Sequence, residues 1–336
     1  MKIKRQDLQE ALELVKPGLA TKELIEQSTS FAFVNGFVLT YNDEISISHP
    51  IPDIKLEGAI KSDMLYKLLP KLKQDEIDLE INKNEVLLSC GRTKAGLTLQ
   101  EEITLPIKAI SKKGKWMNLP TNFIHYMSLA VGSCGIDGSE AILTCIHCHK
   151  DGIIEGSDGM KIMRCEMKEP SPIDTFLIPA KNAIHVINLN PTKIATGDGW
   201  IHFKTDQETI ISCRTFEESY PNTDKIVQLE GKELILPKTF SEVLERVSIF
   251  SKRDAILDEI LIVQIAENRM KVKADSDSGW IKEEVDIKYS DKPIVFAIAP
   301  YLLKGILDET LVCEISDNRL KFSGDGWNYI TRLFEM

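Results

Sequence analysis

Apolar positions along the chain follow two alternating spacings, and this alternation recurs. Stretches with an apolar residue every three or four positions predict short amphipathic helices, whereas stretches with every second position apolar predict strands. Each third of the chain has two predicted helices, at residues 6–16 and 61–73, 121–131 and 180–189, 238–251 and 300–308. Pro70 is expected to shorten or bend the second of these helices, because proline lacks a backbone N–H donor.

The predicted strands recur in the same order. FVLTYNDEISI, GIIEGSDGMKIMRC and MKVKADSDSGWIKEEV each predict a strand, an acidic turn and a second strand, around Asp43, Asp158 and Asp275. A further hairpin follows the second helix of each third, with turns near Gly91, near Asp206 and near Gly324. The repeat predicts an α+β fold of three tandem domains, at 1–115, 116–230 and 231–336. On pattern alone, an ordinary α+β chain with loosely similar runs stays open as the alternative.

Composition narrows the function classes. The 336 residues are 43% hydrophobic and 27% charged, which suits two or three domains with packed cores. No apolar run approaches the length of a membrane span, and the amphipathic N-terminus lacks the apolar core of a signal peptide, so we expect a cytoplasmic protein. A net charge of -10 argues against binding nucleic acid with the whole exterior, but leaves room for a local basic surface.

The cysteines are odd in number and lie in apolar runs, which is typical of reduced core thiols. They are Cys90, Cys134, Cys145, Cys148, Cys165, Cys213 and Cys313. Cys145 and Cys148, with His147 and His149 beside them, have spacing found in zinc sites. In a strand, however, Cys148 points away from the other three, and no second pair completes a four-ligand site. We expect no metal and no cofactor.

The acidic residues at the predicted turns could also form the active site of an enzyme. Asp43, Asp158, Asp275 and Asp277 could form a magnesium-dependent site acting on nucleic acid. Their recurrence at 115 and 117 residues favours a structural role in each hairpin instead. No phosphate-binding loop of the G-x-x-x-x-G-K-[ST] type occurs, so nucleotide hydrolysis is not indicated. We therefore expect a protein that is not an enzyme, with a metal-dependent nucleic-acid enzyme and a structural β-rich scaffold as the alternatives.

Several segments resemble one family, in chain order. GIIEGSDGMKIMRCEM followed by FLIPAKNAIHVINL is similar to the middle-domain signature of the bacterial DNA polymerase III beta subunits, the sliding clamps, with Ser157, Lys161 and Ile162 in place of Thr, Arg and Leu. CRTFEESYPNTDKIV resembles the stretch that leads into their third domain. LTYNDEISI and LLSCGRTKAGLTL resemble two strands of their first domain. The resemblance suggests a divergent or phage-encoded member.

This resemblance implies a non-enzymatic processivity factor. The family fold has three clamp domains, each with two inner helices backed by antiparallel sheets, and two chains join head to tail as a six-domain ring. Such a ring encircles duplex DNA without reading its sequence, and it binds polymerases and clamp loaders through short peptides. Because a ring holds DNA by topology, its outer surface can remain acidic.

The resemblance also implies site residues. Positions of the family's peptide pocket are matched by Leu143, Ser157, Gly159, Met160, Lys161, Ile162, Pro221, Ile226, Tyr301 and Ile330. Gly159 would permit a tight turn. Met160 stands where many relatives have a polar residue, and Arg332 and Phe334 stand where smaller apolar groups are usual, so the preferred peptide is expected to differ.

The resemblance implies two further sets of residues, one that faces DNA and one at the contact between two chains. Lysines expected to face DNA are Lys22, Lys67, Lys71, Lys73, Lys181, Lys238, Lys252 and Lys304; an ordinary solvated role for them stays open, since acidic residues share those helix faces. The expected dimer contacts are Ile249 and Phe250, meeting Leu105 of the other chain.

Overall fold

The structure, a computed structural model, describes residues 1–110, 112–136, 138–316 and 318–334. Its strands are β1 (Lys2–Lys4), β2 (Ser30–Val34), β3 (Phe37–Tyr41), β4 (Ile45–Pro50), β5 (Gly58–Lys61), β6 (Glu76–Asn82), β7 (Glu85–Cys90), β8 (Thr93–Gln100), β9 (Lys113–Asn118), β10 (Cys145–Cys148), β11 (Ile153–Ser157), β12 (Lys161–Glu166), β13 (Phe176–Pro179), β14 (Lys193–Thr196), β15 (Trp200–Lys204), β16 (Ile210–Arg214), β17 (Lys232–Ile235), β18 (Leu261–Ala266), β19 (Arg269–Ser276), β20 (Gly279–Asp286), β21 (Ile294–Ile298), β22 (Val312–Ser316), β23 (Arg319–Gly324) and β24 (Trp327–Arg332).

The α-helices are short. They are α1 (Arg5–Val15), α2 (Ser62–Leu68), α3 (Phe123–Val131), α4 (Ala180–Leu189), α5 (Asp224–Val227), α6 (Phe240–Ser248) and α7 (Ile306–Glu309). Short 3₁₀ segments lie at Lys16–Gly18, Leu69–Lys71, Ile107–Ile110, Gly138–Thr144, Ile256–Asp258 and Pro300–Leu302. Among the described residues, no helix is long and apolar enough to cross a membrane.

Contacts divide the chain into two compact units. The first comprises Met1–His125 and Ser171–Glu217, and the second comprises Tyr126–Pro170 and Glu218–Met336. The first unit contains a twelve-stranded antiparallel sheet in the order β1-β6-β7-β8-β5-β2-β3-β4-β16-β15-β14-β9. Strands from residues 1–115 and from 116–230 therefore share one sheet, since β4 pairs with β16. The three domain boundaries given above stay a prediction.

In the second unit, two antiparallel sheets carry the strands. One runs in the order β10-β11-β12-β24-β23-β22-β17 and the other in the order β20-β19-β18-β21. The first of these joins β12, from the middle of the chain, to β24, at its end. This pairing brings residues about 170 positions apart in sequence onto one sheet face.

The amphipathic patterns that predict helices also mark the buried faces. Leu8, Leu12 and Val15 of α1 are at most 3% exposed, and Val243 and Val247 of α6 are fully buried. The helix expected at 61–73 ends as an α-helix at Leu68 and continues as a 3₁₀ turn through Pro70, as the missing donor of proline requires. The helices predicted in the first two thirds of the chain, and the fifth, are confirmed.

Two local predictions need correction. The helix expected at 300–308 is a 3₁₀ turn followed by α7, because Gly305 has a φ of +87° and interrupts the helical path. Asp275 lies inside β19, opposite Trp280, and the turn is formed by Asp277 and Ser278, after the strand ends at Ser276. The hairpins at Gly91, Asp206 and Gly324 are confirmed.

A buried histidine in the first unit makes stability depend on pH. His202 is 2% exposed, and its Nδ1 lies 2.8 Å from Oγ of Ser212 on the neighbouring strand. Burial lowers the pKa of His202 to about 4, with the charge of Lys112 as a smaller cause. Because the unfolded chain takes up this proton near pH 6.5, the stabilisation is present above that pH and is lost as the pH falls towards 4.

We expect His202→Asn to reduce the pH dependence of the free energy of unfolding. Between pH 7 and pH 5, His202 should account for a loss of about 2 kcal/mol, and Asn cannot titrate in this range. Urea denaturation of both proteins at the two pH values measures the difference. His125→Asn, at an exposed histidine of the same unit, is the control. An unchanged slope in His202→Asn would contradict this assignment.

Candidate functional site

A groove of about 270 Å³ lies on the second unit, where β12, β24 and β23 run side by side. The register places Ile162 opposite Ile330 and Arg319 opposite Arg332. Ile226 of α5 contributes a third apolar side chain. Groups from three distant parts of the sequence therefore meet in one concavity.

Most of the expected pocket residues lie in this groove. Those that line it are Ser157, Gly159, Met160, Lys161, Ile162, Ile226 and Ile330. Leu143, Pro221 and Tyr301 do not line it, although all belong to the same unit. Leu143 lies next to the turn, since its Cδ1 is 3.7 Å from where a Cβ on Gly159 would stand.

The structure adds lining residues that the resemblance did not supply, namely Asn318, Arg319 and Thr331, together with Arg332 itself. Arg319 and Thr331 belong to the hairpin predicted around Gly324. Counting outwards from its turn pairs Gly324 with Trp327 and, at the far end, Arg319 with Arg332. The hairpin register was thus the signal that could have found Arg319.

The turn between β11 and β12 is held by its own polar groups. Oδ1 of Asp158 accepts the backbone N–H groups of Met160 and Lys161, each at 2.9 Å. Oγ of Ser157 donates to the carbonyl of Lys161 at 2.7 Å and accepts the N–H of Gly159 at 3.1 Å. Gly159 has a φ of +85°, so glycine is the residue that this turn accommodates without strain. Asp158 is therefore a turn-forming residue.

Lys161 does not present a free charge to the groove. Its Nζ donates to the carbonyl of Gly132 at 2.8 Å and lies 5.2 Å from the ring centroid of Tyr301. Burial lowers the pKa of Lys161, although the nearby Asp158 opposes this. Burial, and secondarily Asp158, raises the pKa of Tyr301, which keeps this phenol neutral.

A buried polar network fixes the segment that carries Ile226. Glu155 is 3% exposed, and its Oε2 accepts the hydroxyl of Thr223 at 2.6 Å. Arg164 donates to Thr223 at 2.9 Å and to Asp224 at 2.7 Å. The hydrogen bond from Arg164 lowers the pKa of Asp224. Because buried charges are retained only when paired, this network ties the start of α5 to the sheet.

His147 belongs to the same network. Its Nδ1 lies 2.8 Å from Oε1 of Glu155, and its ring stacks on Tyr220 at a centroid distance of 4.7 Å. Cys145 and Cys148 are buried, and burial raises the pKa of Cys145 to about 11. These partners give His147 a structural role. Over the described ranges, no group of three or more His, Cys, Asp or Glu side chains is arranged to hold a metal ion.

Asp43 and Asp275, two of the other acidic residues at the predicted turns, also have structural partners. Oδ1 of Asp43 binds Nη2 of Arg214 at 2.6 Å and accepts the hydroxyl of Tyr41 at 3.0 Å. Oδ2 of Asp275 lies 3.9 Å from Nη2 of Arg253. Each aspartate thus neutralises an arginine or caps a turn within its own unit.

The lysines expected to face DNA are all exposed. Three of them form ion pairs within one unit: Lys67 with Asp63 at 2.6 Å, Lys181 with Glu44 at 2.7 Å and Lys252 with Glu259 at 3.1 Å. Within the part of the chain that the structure describes, Lys22, Lys71, Lys73, Lys238 and Lys304 form no ion pair. No carboxylate of the described residues therefore offsets the charges of these five.

The expected dimer residues differ in exposure. Ile249, directly after α6, is 67% exposed, whereas Phe250 is half-buried and lies against Gly279 at the start of β20. Leu105 is 6% exposed and packs in a core cluster with Tyr41 and Trp200. Leu105 therefore offers little of its own surface to another chain.

Comparison with solved structures defines the fold class. The chain has the fold of the bacterial DNA polymerase III beta subunits, the sliding clamps, over its whole length. The alignment with the beta subunit from Pseudomonas aeruginosa covers 100% of both chains, at 16% identity and a TM-score of 0.86. The beta subunit from Streptococcus pyogenes matches at 18% identity and 0.86, with 99% of that chain covered. A Pseudomonas aeruginosa sliding clamp bound to griselimycin matches at 15% and 0.85, also with 99% covered.

The similarity to these proteins is visible in the fold, but searches with the whole sequence do not detect it. No protein-family model matches the chain, and no curated protein matches its sequence. At identities of 14–18%, similarity is carried by the fold and not by the residues.

Proposed function

We propose that the protein is a DNA polymerase processivity factor, a sliding clamp that encircles duplex DNA and tethers polymerases to it. The observation that carries this proposal is the match to the beta subunits over the full length of both chains, with a TM-score of 0.86. Such a protein works by topology and by tethering, so the proposal assigns it no catalytic reaction. It also places the protein in the cytoplasm, where chromosomal replication takes place in bacteria.

The groove is the proposed site for partner peptides. A clamp needs a surface where a polymerase or a clamp loader can bind reversibly through a short segment. The half-buried Ile226 would contact an apolar side chain of that segment above the buried floor formed by Ile162 and Ile330, and the turn at Gly159 would fix its position. Small interfaces of this kind depend on a few buried apolar anchors. Leu143 and Tyr301, which lie near this turn, and Pro221 of the same unit remain proposed contacts of a longer peptide.

Duplex DNA is the proposed cargo. The five lysines without an ion pair would supply weak contacts to phosphates, and these contacts carry no sequence information. Lys67, Lys181 and Lys252 would contribute less, because their charges are already paired. A ring that retains DNA by topology needs no stronger binding, and this is compatible with a net charge of -10.

Ring closure is proposed to be a head-to-tail contact between two copies of the chain. β20 is an edge strand of its sheet and carries the exposed Trp280, and the exposed Ile249 precedes Phe250, which lies against Gly279 of β20. Exposed apolar groups on an open strand edge are typical of a surface that another chain covers. Because Leu105 is buried, its region rather than its side chain would form the other half of the contact.

The topology of binding provides the test. The protein is loaded onto nicked circular DNA with the clamp loader of its source organism and ATP, and DNA-bound protein is separated by gel filtration in high salt. We expect retention on the circle and release once a restriction enzyme linearises it. Equal retention on both forms would indicate ordinary DNA binding, and degradation of the DNA would indicate a metal-dependent enzyme; either result would overturn the proposal.

A further inference from the structure

Two arginines face each other at one end of the groove. Arg319 of β23 and Arg332 of β24 are directly opposite in the antiparallel ladder, and both line the groove. Directly opposite residues project from the same face of a sheet, as do residues two apart in one strand. The two guanidinium groups therefore lie on the same face as Ile330, which provides part of the apolar floor.

Neither guanidinium group has a carboxylate partner among the residues that the structure describes. By contrast, Arg164, Arg214 and Arg246 each bind a carboxylate at 2.6–2.8 Å. Glu314, on the same face of the next strand, accepts the N–H of Gly231 instead. Like charges directly opposite each other destabilise a sheet, so this pair carries an electrostatic cost that a bound anion would relieve.

The distance between Ile330 and Arg332 determines where an acidic side chain must lie on a bound peptide. Ile330 and Arg332 are two residues apart, a distance of about 7 Å along a strand. An extended peptide covers the same distance in two residues. A carboxylate two positions from an apolar anchor would thus reach the arginines, which bind carboxylates bidentately.

We propose that the groove selects peptides in which an apolar anchor is accompanied, two positions away, by an acidic side chain bound between Arg319 and Arg332. This inference rests on the proposed function, because it assumes that the groove receives partner peptides. It assigns to this chain a specific preference: its partners carry an acidic residue beside their apolar anchor.

Matched peptides test the preference. The octapeptide Gly-Glu-Ser-Leu-Phe-Ser-Glu-Gly, capped at both ends, is compared by calorimetry with the version in which both Glu are Gln. A third peptide combines Gln with a free C-terminal carboxylate. We expect the Glu peptide to bind about tenfold more tightly than the capped Gln peptide in 0.1 M salt, and this ratio to shrink in 0.5 M salt.

The variant Arg319→Gln/Arg332→Gln should bring the ratio of the two affinities close to one and leave the affinity for the Gln peptide nearly unchanged. Its thermal midpoint should equal or exceed that of the wild type, because the repulsion is removed. Arg253→Gln/Arg269→Gln removes the same net charge at exposed positions outside the groove and should retain the preference.

Four results would overturn the inference: equal binding of the Glu and Gln peptides, no binding of either, tight binding of the third peptide through its C-terminus, or an equal effect of the control variant. These results concern only the groove. Retention on circular DNA tests the proposed function separately, so a clamp that fails here would still remain on the circle.

Discussion

Ile226→Asp is expected to abolish peptide binding at the groove while leaving the fold intact. Ile226 is half-buried on α5 and lines the groove. Full burial of an isoleucine side chain contributes about 1.5–3 kcal/mol, and an aspartate there adds the cost of desolvating a charge beside an apolar anchor. A total of about 3 kcal/mol or more corresponds to binding weakened by over about 100-fold. Calorimetry with the Leu-Phe octapeptides measures it directly.

An identical substitution elsewhere in the unit serves as the control. Ile235→Asp changes an isoleucine that is 56% exposed on β17 and outside the groove, so it should leave peptide affinity unchanged. Ile226→Asp should in addition reduce the length of DNA that the polymerase copies per binding event. Unchanged affinity in Ile226→Asp would show that the groove is not the peptide site.

Gly156→Ala should strongly destabilise the second unit. Gly156 lies in β11, opposite Met163, and a Cβ there would stand 2.4 Å from the carbonyl oxygen of Ala130 and 2.7 Å from Sγ of Cys134. The carbonyl belongs to α3 and cannot rotate away, so the helix itself would have to shift. Overpacking of this kind costs about 1–3 kcal/mol, and we expect about 3 kcal/mol here.

Gly132→Ala is the matched control because it has the opposite expected sign. The nearest atom to a Cβ at Gly132 is the carbonyl oxygen of Leu129, at 4.0 Å, so the methyl group has space. Alanine at a compatible glycine position stabilises a protein by about 0.4–1 kcal/mol, since it restricts the unfolded chain. The urea midpoint should therefore fall for Gly156→Ala and be equal or higher for Gly132→Ala. If both midpoints fell alike, close packing of α3 on β11 would be contradicted.

The sequence was a good guide where local rules decide the structure. Apolar spacing located α1, α4 and α6, because a short helix on a sheet must bury one face. Turn chemistry located the hairpins, since Gly159 and Gly91 adopt positive φ values that few other residues tolerate. Ser157, Gly159 and Lys161 were predicted as groove residues from the family resemblance, and the hydrogen bonds of this turn hold them together.

Predictions from local apolar patterns were wrong where the backbone conformation of one residue, or packing against a distant part of the chain, determined the structure. The spacing of apolar residues at 300–308 predicts one helix, but backbone geometry at Gly305 divides it. Leu105 matched an interface position, yet the core around Trp200, almost one hundred residues later, encloses it. Whether an apolar residue faces its own core or another chain is not encoded in its neighbours.

The sequence by itself determined the short helices, the recurring hairpins and the turn that shapes one end of the groove, since these depend on residues close together in the chain. Only the tertiary structure decided that β12 pairs with β24, which places Ile162 opposite Ile330 and next to the hairpin that carries Arg319 and Arg332, and that Glu155 is buried with Arg164 and Thr223. The physical reason is that strand pairing over about 170 residues is chosen by the packing of whole sheets, which no single segment specifies.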